Sequence, residues 1–306
     1  MIKSMKEPDM FNLSYIISTR NRLAFLTITL NKLLSEIRPT EEIVVVDGNS
    51  TDGTQIYLQK LFDKGKIHQF ISEPDKGQAH GWNKAMLLAK GLIIKKIIDD
   101  DIFDYNAIRK CADYMLKNPK IDIVISNDLV SSLSNYKKIE KTGRLTQFNQ
   151  WKEGLKPSFT FGDVHLLIRR TSLSIIGLYH TGYIMMDWEY SLRISYLQTN
   201  IAYYTGYNAL SVYHDQSISA LKNEKHITDQ GNRASVFYEY AGDRSEISTW
   251  SKIKITIGKI IFKQKNKDLD LHAPVDMTEI AAIYLYLQSQ IEMINISGDF
   301  RFIEKS

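Results

Sequence analysis

The tetrapeptide Ile43-Val44-Val45-Val46 constrains the fold of this chain more than any other feature. It is apolar at consecutive positions, so both faces of its strand must be covered, as in a central strand sandwiched between helices. The surrounding sequence supplies the rest of such a sheet. β-Branched runs at Leu13–Ser18, Ile67–Ser72 and Leu92–Ile98 accompany the strand Glu42–Asp47. Between them apolar residues recur at helical spacing: Leu23, Leu26, Leu30, Leu33 and Leu34, then Ile56, Leu58, Leu61 and Phe62, then Ala85, Leu88 and Ala89. Strand and helix alternating in this way build right-handed βαβ units and a mostly parallel sheet, so the fold class is α/β. Further strands are expected at Asp122–Asn127, Gly162–Arg170 and Ile201–Val212, and helices from Tyr105 and over Asp187–Tyr196. Beyond about Ala220 the sequence is polar and helix-compatible.

Composition narrows the class. The 306 residues, 43% hydrophobic and 24% charged, can bury one large core or two modest ones and exclude a disordered chain. A single cysteine, Cys111, rules out a disulfide framework or a cysteine-based metal site and fits a reducing, cytoplasmic setting. Cys111 itself is expected to be a small buried side chain. The apolar runs fall short of the ~20 residues a membrane span requires, and the polar start lacks the core of a signal peptide. A net charge of +4 is too small to argue for a nucleic-acid partner.

Open α/β sheets bind ligands beyond the carboxyl ends of their strands. Four such ends carry polar loops: Thr19-Arg20-Asn21-Arg22, Asp47 to Thr54, Glu73 to Gln78, and Asp99-Asp100-Asp101. Asp47 could accept hydrogen bonds from a base or ribose, or simply close a βα turn. Three consecutive acids repel one another, by about 1 kcal/mol per pair at ~4 Å in water and ~4 kcal/mol at an effective dielectric of 20. A divalent cation such as Mg2+ or Mn2+ turns that repulsion into binding. Asp104 is a candidate N-cap. Lys76 and Gly77 precede a helix and could meet phosphate, or be a surface turn. No Walker loop or GxGxxG motif is present.

Taken together, these segments resemble glycosyltransferase family 2, an inverting family with the GT-A fold. The resemblance is carried by Ile17-Ser18-Thr19-Arg20-Asn21-Arg22, by Val45 to Thr54, by Ser72-Glu73-Pro74-Asp75-Lys76-Gly77-Gln78 with Asn83-Lys84, by Asp99-Asp100-Asp101 at the DXD position, and by Met186 to Arg193. It implies a tail at 1–10, a GT-A domain at 11–219 with a donor half (about 11–127) and an acceptor half (about 128–219), and a mainly helical extension at 220–306. It also implies that Asp47, Ser18, Arg20 and Arg22 meet the nucleotide, with Lys76, Gly77, Asn83, Asp99 and Asp100 on the donor. Asp101 would be the principal metal ligand, with Asp99 and His214 beside it, and Asp187 the catalytic base. Arg20 stands where an aromatic residue is common, Gly48 replaces a frequent second aspartate, Trp82 stands in place of arginine, and Met186 replaces the first acid of the acceptor motif.

The resulting expectation is metal-dependent, inverting transfer of a sugar from a nucleotide-sugar donor to a glycan or lipid-linked acceptor, in bacterial surface polysaccharide synthesis. The alternatives are a sugar-nucleotide nucleotidyltransferase and a non-catalytic carbohydrate-binding relic. Glu189 and Arg193 are expected to form a surface pair one helical turn apart. His80 and His165 could lie near a sugar, and Trp82, Trp151 and Trp188 could stack on one or belong to the core. Between Lys252 and Lys267, six lysines interleave with Ile253, Ile257, Ile260 and Ile261, a pattern that could rest on the inner membrane or pack on the domain.

Overall fold

The computed structural model describes residues 11–214, 224–240, 242 and 277–305. The basic segment 252–267 lies outside them. Ten strands form one sheet: β1 (Leu13–Thr19), β2 (Glu41–Asp47), β3 (Gln69–Ser72), β4 (Ile93–Lys96), β5 (Ile102–Phe103), β6 (Ile123–Ser132), β7 (Glu140–Thr142), β8 (Leu167–Arg169), β9 (Ile201–Tyr213) and β10 (Phe302–Glu304). Along the main path the order is β10-β9-β6-β8-β4-β1-β2-β3, with β5 on β9 and β7 on β6. The ladders β3–β2, β2–β1, β1–β4 and β6–β9 are parallel, while β8 and β10 run against their neighbours. The parallel βαβ half expected from the alternating periodicities, β4-β1-β2-β3, is present, while β5, β7, β8 and β10 pair antiparallel and make the whole sheet mixed.

The helices are α1 (Leu23–Glu36), α2 (Thr54–Asp63), α3 (Gln78–Leu88), α4 (Tyr105–Lys117), α5 (Leu145–Lys152), α6 (Leu173–Ile176), α7 (Met186–Tyr196), α8 (Glu224–Phe237) and α9 (Met277–Ser297). Strand residues alternate between the two faces. Tyr15, Ile17, Ile43 and Val45 point into a core with α1, α2 and α4. Ile16, Val44 and Val46 pack with Trp82 and Ala85 of α3, Phe148 and Trp151 of α5, and Tyr190 and Ile194 of α7. A third core joins Ile102, Leu129 and Leu210 to Ile280, Tyr284, Leu287 and Ile291 of α9. The C-terminal residues thus belong to the same sheet and core as the N-terminal ones.

Three local expectations change. The strand Gly162–Arg170 is only Leu167–Arg169, because Asp163–His165 turns as a 3-10 helix. The strand over Leu92–Ile98 stops at Lys96, so the acidic triplet sits in a turn past the sheet edge. The Glu189–Arg193 pair is not on the surface: Glu189 is buried, accepts from Tyr238 Oη, and pairs with Arg193 at 2.7 Å. Arg193 also donates to the carbonyls of Ile176 and Leu178 in the segment before α7, and Tyr238, just beyond α8, covers the pair from the other side in sequence.

Candidate active site

The loops after β1 and β2 are sewn together before any ligand is considered. The Gly48 amide donates to the Thr19 carbonyl at 2.9 Å, and the Asn21 amide to Ser50 Oγ at 2.7 Å. Asp52 accepts from the first amide of α1, Leu23, and from the amide and hydroxyl of Thr54, which opens α2. One carboxylate therefore fixes two helix starts. Asp47 is fully buried; its carboxylate accepts from Ser50 N at 3.0 Å, from Ser72 Oγ at 2.6 Å and from Ser50 Oγ. Beside it, a side chain at Gly48 would strike the Asp75 carboxylate, and one at Gly81 would strike Ser18 Oγ. Ser18, exposed Arg20, Gly48 and Asp75 thus line one corner of the sheet edge. Asp75 was not singled out in the sequence.

The next strand end holds the acids. Asp99 Oδ2 accepts from Thr19 Oγ1 at 2.7 Å, and Asp99 Oδ1 lies 2.9 Å from Arg22 Nε. Arg22 also pairs with Asp100, whose Oδ2 lies 2.7 Å from His214 Nε2. His214 stacks on Phe25 with centroids 4.7 Å apart. Asp101 Oδ1 accepts from the Val212 amide at 2.9 Å. Backbone braces complete the turn: Thr29 Oγ1 donates to the Asp99 carbonyl at 2.7 Å, and Tyr284 Oη of α9 donates to that of Asp100 at 2.6 Å.

Burial dominates the ionisation of these groups. It lifts the Asp99 carboxyl to about 6, Asp100 adding to the rise while Arg22 and Thr19 oppose it. Burial also opposes charge on Asp100, yet the His214 hydrogen bond and Arg22 together hold it below the usual carboxylate range. Asp101 rises well above that range, from burial and then from the Asp100 charge. Among the described residues, no three Asp, Glu, His or Cys side chains converge into a ready-made metal cage. Magnesium and manganese sites, however, typically use one or two carboxylates and complete the shell with phosphate and water. Asp101, whose Oδ2 makes no hydrogen bond among the described residues, fits that role, whereas the side chains of Asp99 and Asp100 are already engaged by Arg22, Thr19 and His214.

Across the site stands Asp187, in the first turn of α7. It is not the N-cap, which is Met185. Burial, followed by the Asp163 charge, raises its carboxyl to about 6. Half-exposed Tyr213, at the end of β9, feels the charges of Asp101, Asp128 and Asp187 together, so the two acidic groups share one neighbourhood. Lys96 also acts on both Asp101 and Asp187.

The other expected residues are dispersed. Lys76 and Gly77 are exposed at the start of α3; Lys76 makes no ion pair among the described residues. With Gln78, Thr181, Tyr183 and Gln230 they line a small cleft. Asn83 is committed elsewhere: its amide donates to the Tyr179 carbonyl and accepts from the Tyr179 amide, both at 2.8 Å. His165 is buried, with Nε2 3.2 Å from Asp128, and Trp82 and Trp151 are core residues. Sequence reasoning passed over Lys96, Asp163 and Tyr179. Two adjacent lysines inside the apolar run Leu92–Ile98 were the available signal, since a buried lysine requires a partner.

The sheet gathers carboxylates beyond the ends of its strands, where open α/β sheets hold their ligands. Residues 14–176, more than half of the chain, match the family "Glycosyl transferase family 2". The chain belongs to this family and is a glycosyltransferase domain. It is 23% identical over 198 residues to a poly-beta-1,6-N-acetyl-D-glucosamine synthase of Staphylococcus epidermidis, a match covering 62% of this chain and 47% of that protein. It is 29% identical over 106 residues to a putative teichuronic acid biosynthesis glycosyltransferase, TuaG, of Bacillus subtilis, covering 34% and 42%. The chain therefore spans only about half the length of these relatives. Among solved structures it is similar to S. aureus TarS 1-349 in complex with UDP-GlcNAc, with TM-score 0.57, 14% identity, and coverage of 92% and 80%. It is also similar to a mannosyltransferase from Pyrobaculum calidifontis in complex with GDP-Man and Mn2+, with TM-score 0.54, 15% identity, and coverage of 94% and 88%. These likenesses concern the fold. Among the described residues no helix is long and apolar enough to cross a membrane.

Proposed function

We propose that this domain catalyses metal-dependent, inverting transfer of a sugar from a nucleotide-sugar donor to a glycan or lipid-linked acceptor, in the assembly of a bacterial surface polysaccharide. The observation that carries the reading is the common neighbourhood of two acidic groups at Tyr213: the Asp99–Asp101 turn past β4, and Asp187 at the start of α7. The relatives named for poly-beta-1,6-N-acetyl-D-glucosamine synthesis and teichuronic acid biosynthesis support a polysaccharide product.

In this reading the nucleoside lies against Ser18, Arg20, Gly48 and Asp75, above buried Asp47. Asp101 would hold Mg2+ or Mn2+, and Asp99 and His214 brace the turn around it through Arg22 and Asp100. The cation supplies stabilisation of negative charge on the departing diphosphate. Arg22 fixes Asp99 and Asp100 and brings its own positive charge to that end, while exposed Lys76 is available to phosphate. Asp187 accepts the proton of the acceptor hydroxyl as its oxygen attacks the anomeric carbon. The bond from that carbon to the diphosphate oxygen breaks, its electron pair leaving with the nucleotide, and the configuration inverts.

The test is transfer from a panel of nucleotide sugars to surface-glycan fragments in the presence of manganese. Asp187→Asn is expected to lose transfer by about 10²–10⁴-fold while retaining nucleotide binding. Unchanged transfer would remove Asp187 from the mechanism, and pyrophosphate release from a nucleoside triphosphate would redirect the assignment to a nucleotidyltransferase.

A further inference from the structure

The two charged groups that act most on Asp187, Asp163 and then Lys96, form one pair inside the protein. Lys96, the last residue of β4, carries its ammonium into the core, 4.4 Å from the centre of the Trp82 ring and 5.4 Å from that of Tyr179. There it pairs with Asp163 Oδ2, which also accepts from Tyr179 Oη at 2.8 Å. Tyr179 is pinned through its backbone to Asn83 of α3, and its ring lies 4.4 Å from Tyr190 of α7. The turn Asp163–His165 packs directly on α7. Four elements therefore meet at one buried ion pair next to the helix that carries Asp187.

We infer that the Lys96–Asp163 pair, braced by Tyr179 and Trp82, positions Asp187 electrostatically and so governs when the proposed base can accept a proton. The inference rests on the assignment of Asp187 as the base. The groups coupled to Asp187 by charge are Asp163 from the turn before β8, Tyr179 from the segment between α6 and α7, Lys96 from β4 and Tyr213 from β9, and Tyr179 also touches Tyr190, one turn beyond Asp187 on α7. Tyr238, which follows α8, is turned to Glu189 instead, and Glu189 is neutralised by Arg193. The carboxylate of Asp163 discourages charge on Asp187 and the ammonium of Lys96 encourages it. A buried pair of this kind is a costly way to gain stability, since apolar residues of similar volume often do as well. Its position beside the base gives it another use.

Opposite signs make the test selective. Asp163→Asn keeps an oxygen for Lys96 and Tyr179 but removes the negative charge, so the acid-side midpoint of the kcat–pH profile moves down by about one unit. Adding Lys96→Met to Asp163→Asn moves the midpoint up again, and adding Lys96→Arg instead leaves it where Asp163→Asn put it. The same midpoint is read without turnover from the pH dependence of unfolding free energy in each background, with and without Asp187→Asn. Variants that lower kcat while every midpoint stays fixed would overturn the inference and leave Lys96 and Asp163 as packing residues. If Asp187→Asn itself transfers sugar at the parental rate, the base assignment fails, and the midpoints from unfolding still decide whether the pair acts on Asp187.

Discussion

Asp187 is held in a place that resists its charge, and this has a consequence for stability as well as for catalysis. Its carboxyl ionises at about 6 in the folded protein and at about 3.9 when unfolded. The folded state therefore binds the proton more tightly, and this group's contribution to stability is present below about pH 4 and lost as pH rises through 6. Urea unfolding at pH 5 and pH 7 should show this loss in the parent and not in Asp187→Asn, while transfer by the parent falls on the acid side of about pH 6. Asp47 behaves differently. Its three hydrogen bonds close the β2 turn, so Asp47→Ala should destabilise by about 2–4 kcal/mol in urea melts, whatever it also does to nucleotide affinity. Single residues were legible where their role is local. Asp104 caps α4 by accepting from the amides of Asn106 and Ala107, as its place before the helix suggests. Cys111 is fully buried, and burial pushes its thiol up to about 12. Partners distant in sequence were not legible: nothing near Glu189 announces Tyr238, and nothing near Asn83 announces Tyr179.

Among the elements, the alternating strands and helices of the first third could be read because each buries a periodic apolar face against its neighbour. The middle was harder for a physical reason. β6 runs ten residues with a register shift against β9, and short β7 pairs only with β6, so neither shows a clean alternation. The C-terminal elements were the least visible. The sequence beyond about Ala220 reads as polar and helix-compatible, yet α9 completes the core over β5 with Ile280, Leu287 and Ile291 and reaches the acidic turn through Tyr284. Leu287, fully buried on that helix, should cost about 2–5 kcal/mol when changed to alanine. Tyr284→Phe should cost about 1 kcal/mol by loss of its bond to the Asp100 carbonyl. Differential scanning calorimetry of the two variants checks both.

At the scale of the molecule, one sheet edge collects every loop singled out from the sequence, because parallel strands present their carboxyl ends together. The corner at Gly48 and Asp75 and the acidic turn both lie at that edge, and Asp187 shares the neighbourhood of the turn through Tyr213. What the sequence could not supply is the division of labour inside the triplet, which follows from Arg22 and His214 engaging Asp99 and Asp100 while one oxygen of Asp101 has no hydrogen bond among the described residues. Calorimetric titration with UDP and GDP, with and without manganese, for the parent and Asp101→Ala tests this most directly. The parent should bind one of the two nucleotides at least about tenfold more tightly with manganese, and Asp101→Ala should lose that enhancement. Equal affinities for the two proteins in the presence of manganese would contradict the account.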